Sequence, residues 1–242
     1  MTESAFLDDL ELMKSSFGGA NEAQICADAI RNRFGPSSLT MIDVGSGRGK
    51  STIEMVLYLR GFGFEIRPMF IEPSASPLDR ETFLEYGGFF EGGFEEYECK
   101  GQHDVVKSTQ SIYYLGEPES ALRGLMSCVA SGGLLLVTSW SERCVFYRLY
   151  ERLYRNVSAV TSIETLGAIV GGLGIDVEIQ YSQGSVNLAM WKGNTEMLGA
   201  VDRVISRSNR KAYVSQVQEL ETLLNEFQDL EVRVNGTMIA RT

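Results

Sequence analysis

Short apolar runs alternate along this chain with longer segments in which apolar residues recur every three or four positions. The short runs are rich in Val, Ile, Leu and Thr and are bounded by glycine, proline or charged residues, which predicts β-strands. The longer segments predict amphipathic helices. Strands are expected at 40–44, 65–72, 104–111, 134–140 and 175–181, helices at 51–59, 118–129, 142–155 and 161–170, and a short helix followed by a strand within 82–91. This alternation predicts an α/β fold with a parallel sheet.

Two predicted helices, at 4–16 and 21–34, precede this region, and two more, at 193–206 and 210–230, follow it. The last has the clearest helical spacing, with one stripe formed by Val214, Val217, Leu220, Leu224 and Phe227. A final strand is predicted at 230–240. Because the late helices interrupt the alternation of strands and helices, we expect them to form a cap over the edge of the sheet where ligands bind.

The composition narrows the class of protein. The 242 residues are 44% hydrophobic, which suits one α/β domain with an insertion. A net charge of −10 without an evident basic face argues against a nucleic-acid partner. No apolar run reaches the roughly 18–20 residues that span a bilayer, and the N-terminus lacks the features of a signal peptide. We therefore expect a cytoplasmic protein with no membrane partner.

The residues that commonly bind metals are sparse. The four cysteines, Cys26, Cys99, Cys128 and Cys144, are far apart in the sequence and form no CxxC pair. We therefore expect reduced thiols and no zinc site. His103 is the only histidine, which excludes a site with several histidine ligands.

The segment Ile-Asp-Val-Gly-Ser-Gly-Arg-Gly-Lys at 42–50 carries the most informative chemistry. Gly45, Gly47 and Gly49 follow a predicted strand and precede a predicted helix. Glycine permits positive φ and close approach of a ligand to the backbone, and a helix N-terminus favours negative charge. The segment therefore predicts either a cofactor site or a tight turn without a ligand.

The spacing of these glycines excludes two common phosphate sites. A Walker A loop needs glycine five residues before the Gly-Lys pair, where this chain has Val44. A dinucleotide fingerprint needs its third glycine at the position of Lys50. The pattern that remains is Asp-x-Gly-x-Gly-x-Gly, beginning at Asp43.

Two further features suit a nucleoside. Glu72 ends the second strand of the alternating region, about 20 residues beyond the glycines, where a carboxylate can accept hydrogen bonds from both ribose hydroxyls. Phe94 and Glu95 offer a flat apolar wall and an acceptor for adenine. They fit equally well as a core aromatic residue beside a solvated acid.

Other candidate residues lie at the carboxyl ends of predicted strands, the edge at which open α/β sheets bind ligands. Gln110, Tyr113 and Tyr114 follow one strand, and Trp140 ends another. Glu22 lies on the inward stripe of the second helix. There it either points into a pocket or interacts with the dipole of its own helix.

The glycine pattern together with Glu72 resembles the class I S-adenosylmethionine (SAM)-dependent methyltransferases over about residues 40–180. Ile-Glu-Pro-Ser-Ala at 71–75, Gln-Ser-Ile-Tyr-Tyr at 110–114 and Glu-Ala-Gln-Ile-Cys at 22–26 are more specifically similar to the histamine N-methyltransferase family. The pattern of 161–174 is similar as well. The resemblance implies a Rossmann-like class I methyltransferase sheet with helices on both faces, SAM as cofactor and S-adenosyl-L-homocysteine as product.

The resemblance also implies roles for residues. Motif and resemblance together predict cofactor contacts by Asp43, Gly45, Gly47, Gly49, Glu72, Phe94, Thr109 and Gln110. They predict acceptor contacts by Glu22, Tyr113, Tyr114, Trp140 and Asn235, and the residues expected to take part in catalysis are Glu22, Gln110 and Tyr114. Two positions depart from the family pattern. The alignment places either Asn235 or Gly236 at the position of an asparagine near the family's C-terminus, and Pro77 stands where the family has a glutamine.

The resemblance implies transfer of a methyl group from SAM to a small amine or aromatic heterocycle by in-line displacement. C-methylation of an indole-type ring in secondary metabolism and a SAM-binding partner protein without catalysis are the alternatives. We expect a small-molecule substrate, and the oligomeric state stays open. The predicted regions are N-terminal helices of the acceptor pocket (1–39), a SAM-binding core (40–183), a helical cap (184–230) and the last core strand (231–242).

Overall fold

The computed structural model describes residues 3–19, 21–99, 103–154, 161–207, 217–228 and 230–242. Its strands are β1 Phe17–Gly18, β2 Ser38–Val44, β3 Glu65–Ile71, β4 Gly88–Phe90, β5 His103–Thr109, β6 Val129–Trp140, β7 Asp176–Asn187 and β8 Leu230–Arg241. Its helices are α1 Glu3–Lys14, α2 Glu22–Arg33, α3 Lys50–Arg60, α4 Pro77–Tyr86, α5 Pro118–Ser127, α6 Val145–Tyr154, α7 Ile163–Gly172, α8 Thr195–Arg207 and α9 Val217–Leu224. The predicted alternation of strands and helices is therefore confirmed.

All eight described strands form one sheet in the order β1-β7-β8-β6-β5-β2-β3-β4. The strands from β6 to β4 are parallel, whereas β8 is antiparallel to both β6 and β7, and β1 is antiparallel to β7. The sheet is thus mixed, with an antiparallel edge. Its strand order reverses at β2, which lies between β3 and β5, and such a switch point is where open α/β sheets bind ligands.

The alternating side chains of β2 show why helices cover both faces of the sheet. Ile42 and Val44 pack with the apolar residues of α5 and α7 on one face. Leu39 and Met41 pack with those of α2 and α3 on the other. Because both faces of the strand are apolar, a helix layer on each side is needed to bury them. The Rossmann-like architecture expected from the sequence is therefore correct.

A third apolar cluster lies beyond the carboxyl ends of the strands and joins α1, α6, α8 and α9. Its centre contains Phe146 and Trp191, which are fully buried and stack at 5.5 Å. This layer brings the N-terminal helix next to the late helices. It therefore covers the edge of the sheet at which the strand order reverses.

Several element boundaries differ from the sequence expectations. β7 extends to Asn187, six residues past the predicted end of that strand and four past the predicted end of the core region. β1 forms in a segment predicted only to end the first helix, because Phe17 and Gly18 pair with β7. The predicted helix of 210–230 is described only from residue 217, so that Val214 lies outside the described residues, as does residue 155 of the predicted helix of 142–155.

The prediction of four reduced cysteines is wrong for two of them. Cys99 and Cys128 form a disulfide, with their Cα atoms 5.8 Å apart. Sequence separation misled the prediction, because the segment that follows Phe94 returns to the end of α5. Cys26 and Cys144 are free and buried, and burial raises the pKa of the Cys26 thiol to about 11.

Within the described ranges, no helix is both long and apolar enough to cross a bilayer. The same part of the chain contains no group of three or more His, Cys, Asp or Glu side chains arranged to hold a metal ion.

Candidate active site

A cavity of about 580 Å³ lies at the carboxyl ends of the parallel strands and is bordered by α1. Every residue that the sequence predicted for the site lines it: Glu22, Asp43, Gly45, Gly47, Gly49, Glu72, Phe94, Thr109, Gln110, Tyr113, Tyr114, Trp140 and Asn235. The structure therefore brings together residues that are up to 213 positions apart in the chain.

The glycine turn after β2 is crowded at one glycine and open at another. A Cβ atom on Gly45, whose φ is +68°, would come within 2.4 Å of the Ser111 Cβ. At Gly47, with φ +58°, a Cβ would meet no atom of the described residues within 4 Å. The turn therefore packs closely against the protein at Gly45 and leaves its backbone accessible at Gly47.

Glu72 is held beside this turn by two backbone amides. The N–H of Gly47 donates to its Oε2 at 2.8 Å, and the N–H of Ser74 donates to its Oε1 at 3.0 Å. Each carboxylate oxygen can accept more than one hydrogen bond. The buried carboxylate is therefore fixed in position and retains the capacity to accept bonds from a diol such as ribose.

Asp43 is engaged within the fold. The Thr52 hydroxyl donates to its Oδ2 at 2.7 Å, and Lys107 Nζ lies 3.3 Å from its Oδ1. Asp43 and Lys107 are register partners on β2 and β5, and both are almost fully buried. Lys107 was not among the predicted site residues, although a lysine within the apolar strand at 105–108 is a signal that could have identified it.

Gln110 has an unusual backbone conformation at the end of β5. Its φ of +55° is the only positive value of a non-glycine residue in the described part of the chain, and such outliers are often functional. The Tyr113 hydroxyl donates to Gln110 Oε1, and burial raises the pKa of Tyr113 well above its usual value, which keeps that proton in place. Gln110 Nε2 and Thr109 Oγ1 are buried without a hydrogen-bond partner among the described residues.

Glu22 and Asn235 form the polar end of the cavity on the α2 side. Asn235 Nδ2 donates to Glu22 Oε1, and Arg233 Nη2 lies 3.6 Å from the same oxygen. Because a carboxylate accepts hydrogen bonds, the amide nitrogen of Asn235 must point at Glu22, which leaves Oδ1 as its other polar atom. That atom is buried and has no partner within the described ranges, so a ligand N–H would satisfy it.

Aromatic rings form the apolar wall of the same half of the cavity. The ring centroid of Tyr113 lies 5.6 Å from that of Trp140 and 5.0 Å from that of Tyr114. The Tyr114 ring in turn contacts Phe6 of α1 edge-on, with 5.8 Å between the ring centroids. Trp140 also stacks on Phe146 at 5.5 Å. The predicted aromatic residues thus form one connected surface, to which α1 adds a ring that sequence reasoning missed.

The arrangement has two halves that meet at Gln110. The glycine turn, Glu72 and Thr109 surround the switch point of the sheet and fit a nucleoside with a polar tail. Phe94 lines the cavity from a short 3₁₀ helix at Phe94–Glu96. Glu22, Asn235 and the aromatic wall fit a second, smaller molecule beside it.

Known proteins share this fold. A profile described as a methyltransferase domain matches residues 20–192, and comparison with curated protein sequences finds no significant match. A SAM-dependent methyltransferase from Geobacter sulfurreducens in complex with S-adenosyl-L-homocysteine is similar, with 15% identity and a TM-score of 0.56 over 97% of this chain and 98% of that one.

Two further solved structures show the same likeness. A SAM-dependent methyltransferase from Thiobacillus denitrificans, also in complex with S-adenosyl-L-homocysteine, has 16% identity and a TM-score of 0.55 over 96% of this chain and 97% of that one. Phospholethanolamine N-methyltransferase 2 from Haemonchus contortus has 17% identity and a TM-score of 0.53 over 89% of this chain and 52% of that one. At these identities the likeness shows the fold alone.

Proposed function

The chain belongs to the family of methyltransferase domains, as a SAM-dependent enzyme, and we propose that its acceptor is a nitrogen atom of a small, ring-bearing molecule, either an amine or an aromatic heterocycle. The observation that carries this proposal is the pair formed by half-buried Glu22 and buried Asn235, whose oxygen atoms can accept hydrogen bonds beside the aromatic wall of the cavity. The resemblance of 71–75 and 110–114 to the histamine N-methyltransferase family supports the same class of acceptor.

The cofactor half of the cavity fits SAM on the contacts described above. In this proposal, Glu72 accepts hydrogen bonds from the ribose hydroxyls, and the backbone at Gly45, Gly47 and Gly49 borders the methionine end. Phe94 lies along adenine, and Thr109 Oγ1 gains a partner that the described residues do not supply. Asp43 acts indirectly, because its carboxylate is used by Thr52 and Lys107.

When bound, SAM supplies an electrophilic methyl group on a sulfonium. The protein's task is to hold the acceptor nitrogen in line with that group, and positioning of this kind supplies much of the rate enhancement in such reactions. Asn235 Oδ1 and Glu22 accept hydrogen bonds from the acceptor's N–H groups and so orient its lone pair. Tyr114 and Trp140 exclude water, which favours the neutral, nucleophilic form of an amine.

Gln110 joins the two halves of the site. Its Oε1 is held by the Tyr113 hydroxyl, so its amide nitrogen has a defined direction. As the residue between cofactor and acceptor, it fixes their relative position through its backbone conformation and this one hydrogen bond.

The test is methyl transfer from radiolabelled SAM to histamine and tryptamine, with the methylated atom located by mass spectrometry of the product. We expect N-methylated products. Glu22→Gln should lower kcat about 10- to 100-fold, because a charged acceptor of the substrate's N–H becomes a neutral one. Calorimetric affinity for S-adenosylhomocysteine should not change.

Glu119→Gln is the matched control, because Glu119 also lies in the first turn of a helix and is exposed. Unchanged turnover in Glu22→Gln would remove Glu22 from the acceptor site. Methyl groups found only on carbon would replace N-methylation with ring C-methylation.

A further inference from the structure

The acceptor half of the cavity contains a cation that the reaction above does not use. Arg233 lies on β8 two residues before Asn235, and because side chains of a strand alternate between faces, both project to the same side as Glu22. The side chain of Arg233 is only 14% exposed. A buried guanidinium at the wall of a ligand cavity requires an anionic partner.

The protein satisfies this guanidinium only in part. Glu22 Oε1 is 3.6 Å from Arg233 Nη2, which is longer than a hydrogen bond. Arg233 Nε is buried and has no hydrogen-bond partner among the described residues. The guanidinium lies over the Phe17 ring, 4.7 Å from its centroid, and this contact fixes its plane. The Arg233 guanidinium is therefore held in place and can still donate hydrogen bonds to a ligand.

A second cation, Lys14, lies near Arg233 and lines the same cavity. Its partner Glu11, at 3.4 Å, is shared with Lys50, at 2.6 Å. The pKa of Lys14 is lowered, chiefly by burial and also by the neighbouring charges of Lys50 and Arg233, although Glu11 opposes that change.

The position of Arg233 in the sheet assigns this charge to the acceptor. β6 and β5 separate β8 from β2, which carries the glycine turn. With about 4.8 Å between neighbouring strands, β8 lies roughly 14 Å from β2 across the sheet. Arg233 is thus beside Glu22 and Asn235, and two strands lie between β8 and the strand that carries the glycine turn.

We propose that the acceptor carries a carboxylate bound by Arg233, so that the substrate is an amino acid with a ring-bearing side chain and not the corresponding simple amine. This proposal rests on the proposed function. The neutral nitrogen's lone pair forms the new N–C bond while the S–C bond of the sulfonium breaks and its electrons stay on sulfur. The surplus proton on nitrogen then leaves to solvent. The carboxylate pairs with the Arg233 guanidinium and takes no part in bond making.

The experiment compares acceptors that differ only by the α-carboxylate: histidine with histamine, and tryptophan with tryptamine. With the unaltered enzyme, we expect kcat/KM to be higher for the amino acid of at least one pair. In Arg233→Gln, KM for that amino acid should rise about 10- to 100-fold, the effect of losing hydrogen bonds between charged groups, with kcat little changed. Turnover of the amine should change less than about threefold. The ratio of kcat/KM for the amino acid to kcat/KM for the amine should therefore fall, or drop below one.

Arg241→Gln is the matched control, because Arg241 lies at the other end of β8 and pairs with Asp176 and Glu178, away from the cavity. Arg241→Gln should keep the higher kcat/KM for the amino acid that the unaltered enzyme shows. If Arg233→Gln does not fold, Arg233→Lys keeps the charge and loses the planar fork, and it should still raise KM for the amino acid alone.

Three outcomes would overturn the proposal. Methylation of amines but not of amino acids would leave the proposed function intact and exclude the carboxylate. An equal effect of Arg233→Gln on both members of a pair would make Arg233 structural. A loss of affinity for S-adenosylhomocysteine, without a loss for 5′-methylthioadenosine, would assign Arg233 to the cofactor's carboxylate. Failure of every amine and amino acid to accept a methyl group would reject the proposed function itself.

Discussion

Lys107 occupies the environment that lysine least prefers. Its side chain is 2% exposed, and its described contact is with Asp43 Oδ1 at 3.3 Å. Removing two charges from water costs several kcal/mol, and their attraction offsets that cost only when both partners are present. Asp43 lies two residues before Gly45, at the end of β2. The ion pair therefore helps to hold the strand end that precedes the glycine turn.

Loss of either partner should therefore be costly. Lys107→Met preserves the approximate volume and leaves Asp43 as a buried charge without its cation, so unfolding free energy should fall by about 3–5 kcal/mol. Urea unfolding followed by circular dichroism measures this change. The double variant Lys107→Met/Asp43→Asn should recover part of the loss, and a double variant as unstable as the single one would contradict the pairing.

The site residues differ in how far the sequence could predict them. Gly45, Gly47 and Glu72 were predictable because their spacing along one strand, turn and helix reports their chemistry directly. Arg233 was not, because its importance depends on which strands become neighbours. Lys107 carried a signal, as a lysine within an apolar strand, but its pairing with Asp43 also depends on which strands become neighbours. Asp43 was predicted to contact the cofactor, yet its carboxylate is already engaged by two side chains.

At the scale of the element, α1 contacts the glycine turn and the first residue of α3 through ion pairs. Asp8 pairs with Arg48 at 2.6 Å, and Glu11 pairs with Lys50 at 2.6 Å. Phe6 and Leu10 of the same helix line the cavity. Pairs this exposed contribute about 0–1 kcal/mol each, so they add little to the apolar packing that α1 makes through Phe6, Leu7 and Met13.

Glu11→Gln should loosen α1 selectively. The substitution weakens the contacts with Lys14 and Lys50, so amide hydrogen exchange in 3–14 should become up to about fivefold faster, the equivalent of 1 kcal/mol. Exchange in α3 should not change. Asp28→Asn is the control, because it breaks a similarly exposed pair on α2. Equal exchange rates in α1 of both variants would mean that the ion pairs of Glu11 do not hold this helix.

The prediction of a helix boundary failed where tertiary contacts decide which of two neighbouring residues is the N-cap. Residues 161–164 have the sequence of a capping box, which would make Thr161 the N-cap and Glu164 its partner. In the structure Ser162 caps α7 by accepting from the Thr165 N–H, and Glu164 accepts from Ser141. The helix was predicted correctly, but its first residue depended on a neighbouring loop that local sequence cannot reveal.

At the scale of the whole molecule, the Cys99–Cys128 disulfide joins the segment after Phe94 to the end of α5. It closes a loop with a sequence separation of 29 residues, for which the chain-entropy estimate of the stabilisation is about 3–4 kcal/mol. This bond therefore restrains, from outside, the cavity wall that contains Phe94.

Thiol titration in the absence of reductant tests the bond. The native protein should expose no rapidly reacting thiol, because Cys26 and Cys144 are buried and burial raises the pKa of both. In guanidinium two thiols should react, and four should react after reduction. Four reactive thiols in guanidinium alone would contradict the disulfide. Cys99→Ser should lower unfolding free energy by about 3–4 kcal/mol if the bond is formed.

The strand β8 has a consequence for how this scaffold diversifies. Asn235 pairs with both β6 and β7, and Arg233 pairs with β7, so the sheet fixes the backbone at both positions. Arg233 and Asn235 occupy alternate positions on the cavity side of β8. Under the proposed function, replacements at these two positions would alter which acceptor fits while the backbone of the strand is preserved. Descendants of a common ancestor would then acquire new substrates through point substitutions at two codons.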